Sequence, residues 1–345
     1  MAHINFLRVK KWFATLSLIL AVVLLSGTVA FAETGVGYAA HAPVAALGDT
    51  IYLLSGMTVY AIDNEAQQAD VAFSLSTEDD PVDARHPLLF AWNGHIWSVV
   101  SSASSGTVYL RGYAPSSSDK VFEYVLRAWP DHGAFVNGRF YYIAVDPSVS
   151  IQAAIYALDL NDGSNYMMES RSTINFVTSG DYLYYAAYEL FGNGESGNSV
   201  AFASDPPYPA VRLNTATGQI EDLGFGVPFP ELFKVGNYLV AMNPTADGAV
   251  ECIAFNIDSG QSHVFATLTS NGFPALIGND RYLIIQTSDN VTMTLNVFDA
   301  TLTSVNAIRM PHAGGVVPVA MNATHVFRTT DNGQATHIDL LPYLE

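Results

Sequence analysis

The chain reads as all-β, and more narrowly as a seven-bladed β-propeller of four-stranded antiparallel blades. A turn-and-strand phrase carries this reading. It runs Gly48-Asp49-Thr50-Ile51-Tyr52-Leu53-Leu54, Gly94-His95-Ile96-Trp97, Gly138-Arg139-Phe140-Tyr141-Tyr142 and Gly180-Asp181-Tyr182-Leu183-Tyr184-Tyr185. It continues as Gly236-Asn237-Tyr238-Leu239-Val240, Asp280-Arg281-Tyr282-Leu283-Ile284 and the degenerate Ala323-Thr324-His325-Val326-Phe327. The starts are 46, 44, 42, 56, 44 and 43 residues apart, the period of a propeller blade. A second phrase, Val59-Tyr60-Ala61-Ile62-Asp63, Ile155-Tyr156-Ala157-Leu158-Asp159 and Cys252-Ile253-Ala254-Phe255-Asn256, marks a later strand of the same repeat.

Each element has a local cause. The strands that follow the Gly-led turns are almost continuously apolar, as in Tyr182 to Ala187 and Tyr238 to Met242. Such strands are covered on both faces, as they are when sheets stack in a ring. Their aromatic and β-branched content favours strand over helix. The second phrase ends in Asp or Asn and runs into Asp162-Gly163, Thr217-Gly218 or Ser259-Gly260. A carboxylate or amide there caps the turn, and Gly takes the positive φ that closes it. These acids are therefore read as hairpin chemistry rather than cation ligands.

The ends divide the chain into a signal peptide, 1–32, and a propeller, 33–345. Arg8, Lys10 and Lys11 precede an apolar stretch from Trp12 to Leu25, followed by the small-x-small site Ala30-Phe31-Ala32. Cleavage near Ala32 predicts a secreted, extracellular or cell-envelope protein with no integral membrane span. The last repeat has one strand too few, so residues 34–40 are expected to add its missing outer strand and close the ring.

The charge is −18, from 14 Lys and Arg against 32 Asp and Glu. Loss of the three basic signal residues takes it to −21. Such an acidic surface argues against nucleic acid and anionic lipid as partners. The one cysteine, Cys252, forbids an intrachain disulfide and sits in an apolar run, so it is read as an inert buried thiol.

The paired phrases resemble the pyrroloquinoline-quinone-type repeat and related exported bacterial seven-bladed propellers over residues 48–340. Those blades read Gly-x-x-hydrophobic-Tyr, then Leu-Tyr-Ala-Leu-Asp and a Thr-Gly turn. The tryptophan that ends the fourth strand of quinone-enzyme repeats is missing here, so the quinone is not carried over. No cofactor is expected beyond a weak site for a divalent cation such as calcium.

Strand parity places the irregular connectors at one end of the ring, and function is expected there. Three features stand out. The first is Glu189 to Pro209, the insertion behind the 56-residue spacing, with Phe191, Glu195, Phe202 and Tyr208 as ligand-contact candidates. The second is Asp79-Asp80-Pro81-Val82-Asp83-Ala84-Arg85-His86, and the third is Trp129-Pro130-Asp131-His132, with Trp129 a candidate stacking plate for a sugar. Asp83, His86, Asp131 and His132 are candidates for acid–base work. Thr329-Thr330-Asp331-Asn332-Gly333 matches a sialidase-type Asp-box only in part and reads as a hairpin turn. The expected function is non-enzymatic binding of a protein or glycan at the loop-rich end; the rival is a hydrolase or lyase acting on an extracellular carbohydrate.

The strand assignment has a direct check. Far-UV circular dichroism of the processed chain is expected to show sheet and turn, and a helical spectrum would refute the fold.

Overall fold

The computed structural model describes residues 30–31, 37–38, 44–48, 50–63, 69–83, 88–115, 117, 119–146, 153–188, 190–191, 201–202, 206–270, 274–279, 281–289, 291–311, 317–321, 325–329 and 335–339. Every strand pairing among them is antiparallel, and the fold is a β-propeller. Blade 1 is Val44–Leu47, Thr50–Ser55, Thr58–Asp63 and Ala69–Ser74. Blade 3 is Pro130–Val136, Arg139–Val145, Ala153–Asp159 and Asn165–Glu169. Blade 4 is Phe176–Ser179, Tyr182–Ala186, Tyr208–Asn214 and Ile220–Val227. Blade 5 is Phe233–Val235, Tyr238–Pro244, Ala249–Asn256 and Ser262–Thr269. Blade 6 is Ala275–Gly278, Tyr282–Ser288, Thr292–Asp299 and Ser304–Pro311. In blade 2 the inner edge is split: Val82–Asp83 and Leu89–Trp92 both pair with His95–Ser102, which continues to Val108–Tyr113 and Lys120–Val125.

The expected seven blades are corrected to six four-stranded blades among the described residues. The remaining strands form a composite five-stranded sheet, ordered Ala30–Phe31, Gly37–Tyr38, Val317–Met321, His325–Thr329, Ala335–Asp339. It occupies the arc between blades 6 and 1, where Val317–Met321 contacts Ala275–Gly278 and Val44–Leu47. The repeat count overshoots because the turn-and-strand phrase marks an inner hairpin, and the last hairpin is not followed by a full blade.

The expected closure is also corrected. Gly37–Tyr38 does not extend the sheet beyond Ala335–Asp339. Gly37 pairs with Met321 and Tyr38 with Ala320, on the opposite edge. Val44–Leu47 is itself an inner strand, and Gly37–Tyr38, a few residues before it, lies against the inner-edge strand Val317–Met321.

The doubly covered strands are as the sequence predicts. Within Arg139–Val145, Phe140 to Ala144 are all buried, and Leu283 to Thr287 repeat this within Tyr282–Ser288. Outer strands alternate instead: Lys120–Val125 buries neither Lys120, Val121, Glu123 nor Val125. The cores lie between blades. One joins Tyr52, Leu54 and Phe73 of blade 1 to Ile96, Val100 and Tyr113 of blade 2. A second joins Trp97 and Leu110 to Phe140, Tyr142 and Tyr156, and a third joins Tyr141 and Ile155 to Phe176, Leu183 and Tyr185. The largest runs through blades 4, 5 and 6 and encloses Cys252, whose thiol burial pushes up to about 12. That thiol is buried in the core, as its apolar run implies.

The turns follow the predicted chemistry. Asp159 accepts the Asn161 N–H at 3.0 Å, and Asn214 and Asn256 cap their turns in the same way. Gly163, Gly218 and Gly260 take φ of 72, 72 and 67°. Among the described residues no helix is long and apolar enough to cross a membrane.

Gly133 is where one side-chain atom decides packing. A Cβ there would stand 2.5 Å from Cζ of Phe140. Gly133→Ala is expected to destabilise by roughly 1–3 kcal/mol through overpacking, read as a lower denaturant midpoint at unchanged m value.

Candidate functional site

Strand parity holds. The short capped turns lie at one end of the ring, and the blade-to-blade connectors and second-to-third-strand connectors lie at the other. Five of the latter connectors are two to seven residues long, whereas blade 4 uses 21, from Ala187 to Pro207. The feet of this long connector are firmly set. Tyr188 and Tyr208 are buried and meet edge to face at 6.2 Å, and Ser172 pairs with Tyr188 through backbone hydrogen bonds of 2.9 Å in both directions. Above them the connector carries its own hairpin, with Leu190 opposite Phe202 and Phe191 opposite Ala201. Thus Phe191 and Phe202 share one small sheet and Tyr208 is a buried foot; Glu195 lies outside the described residues.

Around the feet, blades 3, 4 and 5 are stitched by polar groups. His132 is buried, and its Nε2 lies 2.9 Å from the Phe176 carbonyl, edge-on to the Phe176 ring at 4.5 Å. A carbonyl only accepts, so Nε2 carries the hydrogen. Asn175 is fully buried; its Nδ2 donates to the Leu232 carbonyl at 2.6 Å and its Oδ1 accepts the Leu232 N–H at 3.0 Å. Glu169 is buried beneath Arg171, which donates to it at 2.7 Å, and Tyr185 donates at 2.8 Å. Burial works to raise the Glu169 carboxyl, but Arg171 and Tyr185 outweigh it and hold it below the usual range.

The acid–base candidates separate. His132 serves as an inter-blade stitch. Asp131 is the extra residue of a β-bulge between Pro130 and His132 on an inner strand, a device that re-aims a side chain. Its charge lies near enough to Tyr188 to add to the burial that pushes that phenol up. Asp83 is exposed and pairs with Ser101 on the split edge of blade 2; His86 lies outside the described residues. Asp80, from the same acidic run, is taken up by Arg111 at 3.0 Å and Lys120 at 3.3 Å, an ion network that straps the blade 1–2 connector to blade 2. Among the described residues no group of three or more His, Cys, Asp or Glu is arranged to hold a metal ion. Trp129 packs half-buried against the core of blades 2 and 3.

Sequence reasoning missed Asn175 and Glu231. Glu231 is 3% exposed on the connector into blade 5, and burial alone pushes its carboxyl up to about 8. The available signal was a single acid inside the apolar run Val227-Pro228-Phe229-Pro230-Glu231-Leu232-Phe233.

No family model and no curated protein matches the chain. Solved structures do. An uncharacterized protein, lmo1340, from Listeria monocytogenes EGD-e matches at 10% identity over 91% of this chain and 97% of its own, with a TM-score of 0.52. KlHsv2 with loop 6CD replaced by a Gly-Ser linker matches at 8% identity over 84% and 90%, with a TM-score of 0.51. An oligogalacturonate lyase in complex with manganese matches at 10% identity over 69% and 70%, with a TM-score of 0.49. At these identities the likeness is one of fold: the neighbours are β-propellers, and they do not single out the pyrroloquinoline-quinone-type repeat.

The stitch between blades 4 and 5 has a measurable consequence. Asn175→Ala leaves the Leu232 N–H and C=O buried without their partner. It is expected to cost about 2–4 kcal/mol in thermal or chemical melts, more than a typical exposed Asn→Ala change.

Proposed function

We propose that this chain is an exported binding module that engages a protein or glycan through the loop-rich end of its propeller. The observation that carries this reading is the 21-residue connector of blade 4, raised on the buried Tyr188–Tyr208 pair while its counterparts have two to seven residues. A long connector on a rigid seat can vary in sequence without disturbing the cores beneath, which is how scaffolds acquire recognition surfaces. The signal-like start and the acidic composition support export and argue for a partner that is not a polyanion.

A second reading, a hydrolase or lyase acting on an extracellular carbohydrate, draws on the bulge at Asp131. It would use Asp131 with a second rim carboxylate such as Asp83 and with His86 or His132, the latter holding the Phe176 carbonyl through Nε2.

Two experiments separate them. Replacing residues 189–205 by a short Gly-Ser turn is expected to abolish capture of the ligand found by glycan-array or crosslinking screens, with melting shifted by only a few degrees. Equal binding by the shortened and complete chains would remove the loop-rich end from the argument. Turnover of a polysaccharide that disappears in Asp83→Asn and Asp131→Asn, with folding intact, would establish the enzyme instead.

A further inference from the structure

Blades 2 and 3 share one two-residue turn at the short-turn rim. Asn93-Gly94 has φ of 49 and 74° and joins Leu89–Trp92 to His95–Ser102. Asn137-Gly138 has φ of 50 and 74° and joins Pro130–Val136 to Arg139–Val145. This left-handed pair is the hairpin turn that Asn-Gly favours. In the same dipeptide the glycine nitrogen can attack the asparagine side-chain carbonyl, since no Cβ on the glycine bars the approach. A Cβ at Gly94 or Gly138 would meet nothing within 4 Å, so neither turn is covered.

The two turns differ in what holds the asparagine. Asn137 is tied to the next blade: its Nδ2 donates to Asp181 Oδ1 at 2.8 Å and to Thr215 Oγ1 at 3.2 Å. Asn93 is exposed, and among the described residues no hydrogen bond reaches its side chain. Its main chain is held instead. His95 Nδ1 lies 2.8 Å from the Asn93 carbonyl, and because a carbonyl only accepts, Nδ1 carries the hydrogen. The imidazole is fixed edge-on to Trp97 at 6.5 Å and to Phe122 at 5.1 Å.

We propose that Asn93 is a self-modification site, at which the Gly94 nitrogen displaces ammonia from the Asn93 side chain and His95 promotes the attack. The carbonyl that His95 holds belongs to the same peptide group as the attacking nitrogen. When hydroxide removes the Gly94 N–H proton, negative charge spreads onto that carbonyl oxygen. A donor already in place there favours the charged form. The nitrogen bonds to Asn93 Cγ, the Cγ–Nδ2 bond breaks, and Nδ2 takes a proton from water and leaves as ammonia.

One water molecule then opens the cyclic imide at either carbonyl, leaving an aspartate or its β-linked isomer. Both products add a negative charge to the rim at neutral pH. The isomer also lengthens the main chain by one atom, inside a turn whose geometry sets the pairing of Trp92 with His95. The left-handed backbone hinders the attack equally in the two turns. What separates them is the tether on Asn137 and the histidine behind Asn93.

Peptide mapping by mass spectrometry of the folded chain, held at neutral pH, reads conversion as a gain of about one dalton at each turn, with the isomer separated by chromatography. Asn93 is expected to convert about tenfold faster than Asn137 in the folded chain, and at a comparable rate in urea, where tether and histidine placement are lost. His95→Phe keeps the ring contacts and removes the donor; it is expected to slow Asn93 about fivefold, the effect of one hydrogen bond, with Asn137 unchanged. Equal rates at the two turns of the folded chain overturn the proposal, as does an Asn93 rate that His95→Phe leaves as it was. Should His95→Phe fail to fold, His95→Val, which suits a strand, must give the same slowing, and an unslowed rate there overturns the proposal equally.

Discussion

Everything in this protein rests on sheets burying both faces against their neighbours around a ring. A single four-stranded sheet with Phe140, Tyr141, Tyr142, Ile143 and Ala144 consecutive in one strand has no polar face to give to water. Phe140 and Tyr142 go into the core shared with blade 2, and Tyr141 and Ile143 into the core shared with blade 4. Burial of this kind contributes about 25 cal/mol per Å² of apolar surface, so each seam is large compared with any single polar contact. The ring must therefore close, and the strands left over after six blades join the chain's two ends into one further sheet.

Because the seams supply the stability, polar groups at the two rims are free to define geometry. At the short-turn end, Thr215 gathers blades 3 and 4: its carbonyl accepts from Arg139 and Tyr141, and its hydroxyl accepts from Asn137 and donates to the Asp181 carbonyl. At the loop-rich end the same task falls to His132 on the blade 3 inner strand and Asn175 on the blade 3–4 connector, which reach the backbone of Phe176 and Leu232. The short-turn rim is built on regular hairpins with little slack. The opposite rim has connectors of unequal length and one raised hairpin, and it holds the variable surface.

The candidate site was legible in parts that have local causes. Parity and connector length point to the blade 4 insertion, and Tyr208, read as a ligand contact, is its buried foot. The acidic run from Asp79 to Asp83 looked like one rim cluster, yet Asp80 is neutralised by Arg111 and Lys120 from a different part of blade 2. His132, read as an acid–base candidate, donates to an acceptor 44 residues away on the next blade. Glu231 left almost no trace, since its burial is set by the blades packed around its connector. Strand by strand, nothing in the sequence announces that.

Strand type, turn chemistry, the blade period and the apolarity of the covered strands were determined by the sequence alone. These depend on residues within a few positions of one another, where φ preference and alternation act directly. Three things were decided only by the tertiary structure: six blades rather than seven, the N-terminal strand on the inner edge, and which polar side chains are stitches, straps or buried acids. Each depends on contacts between segments one blade or a whole ring apart, and a local pattern holds no record of what the ring brings against it.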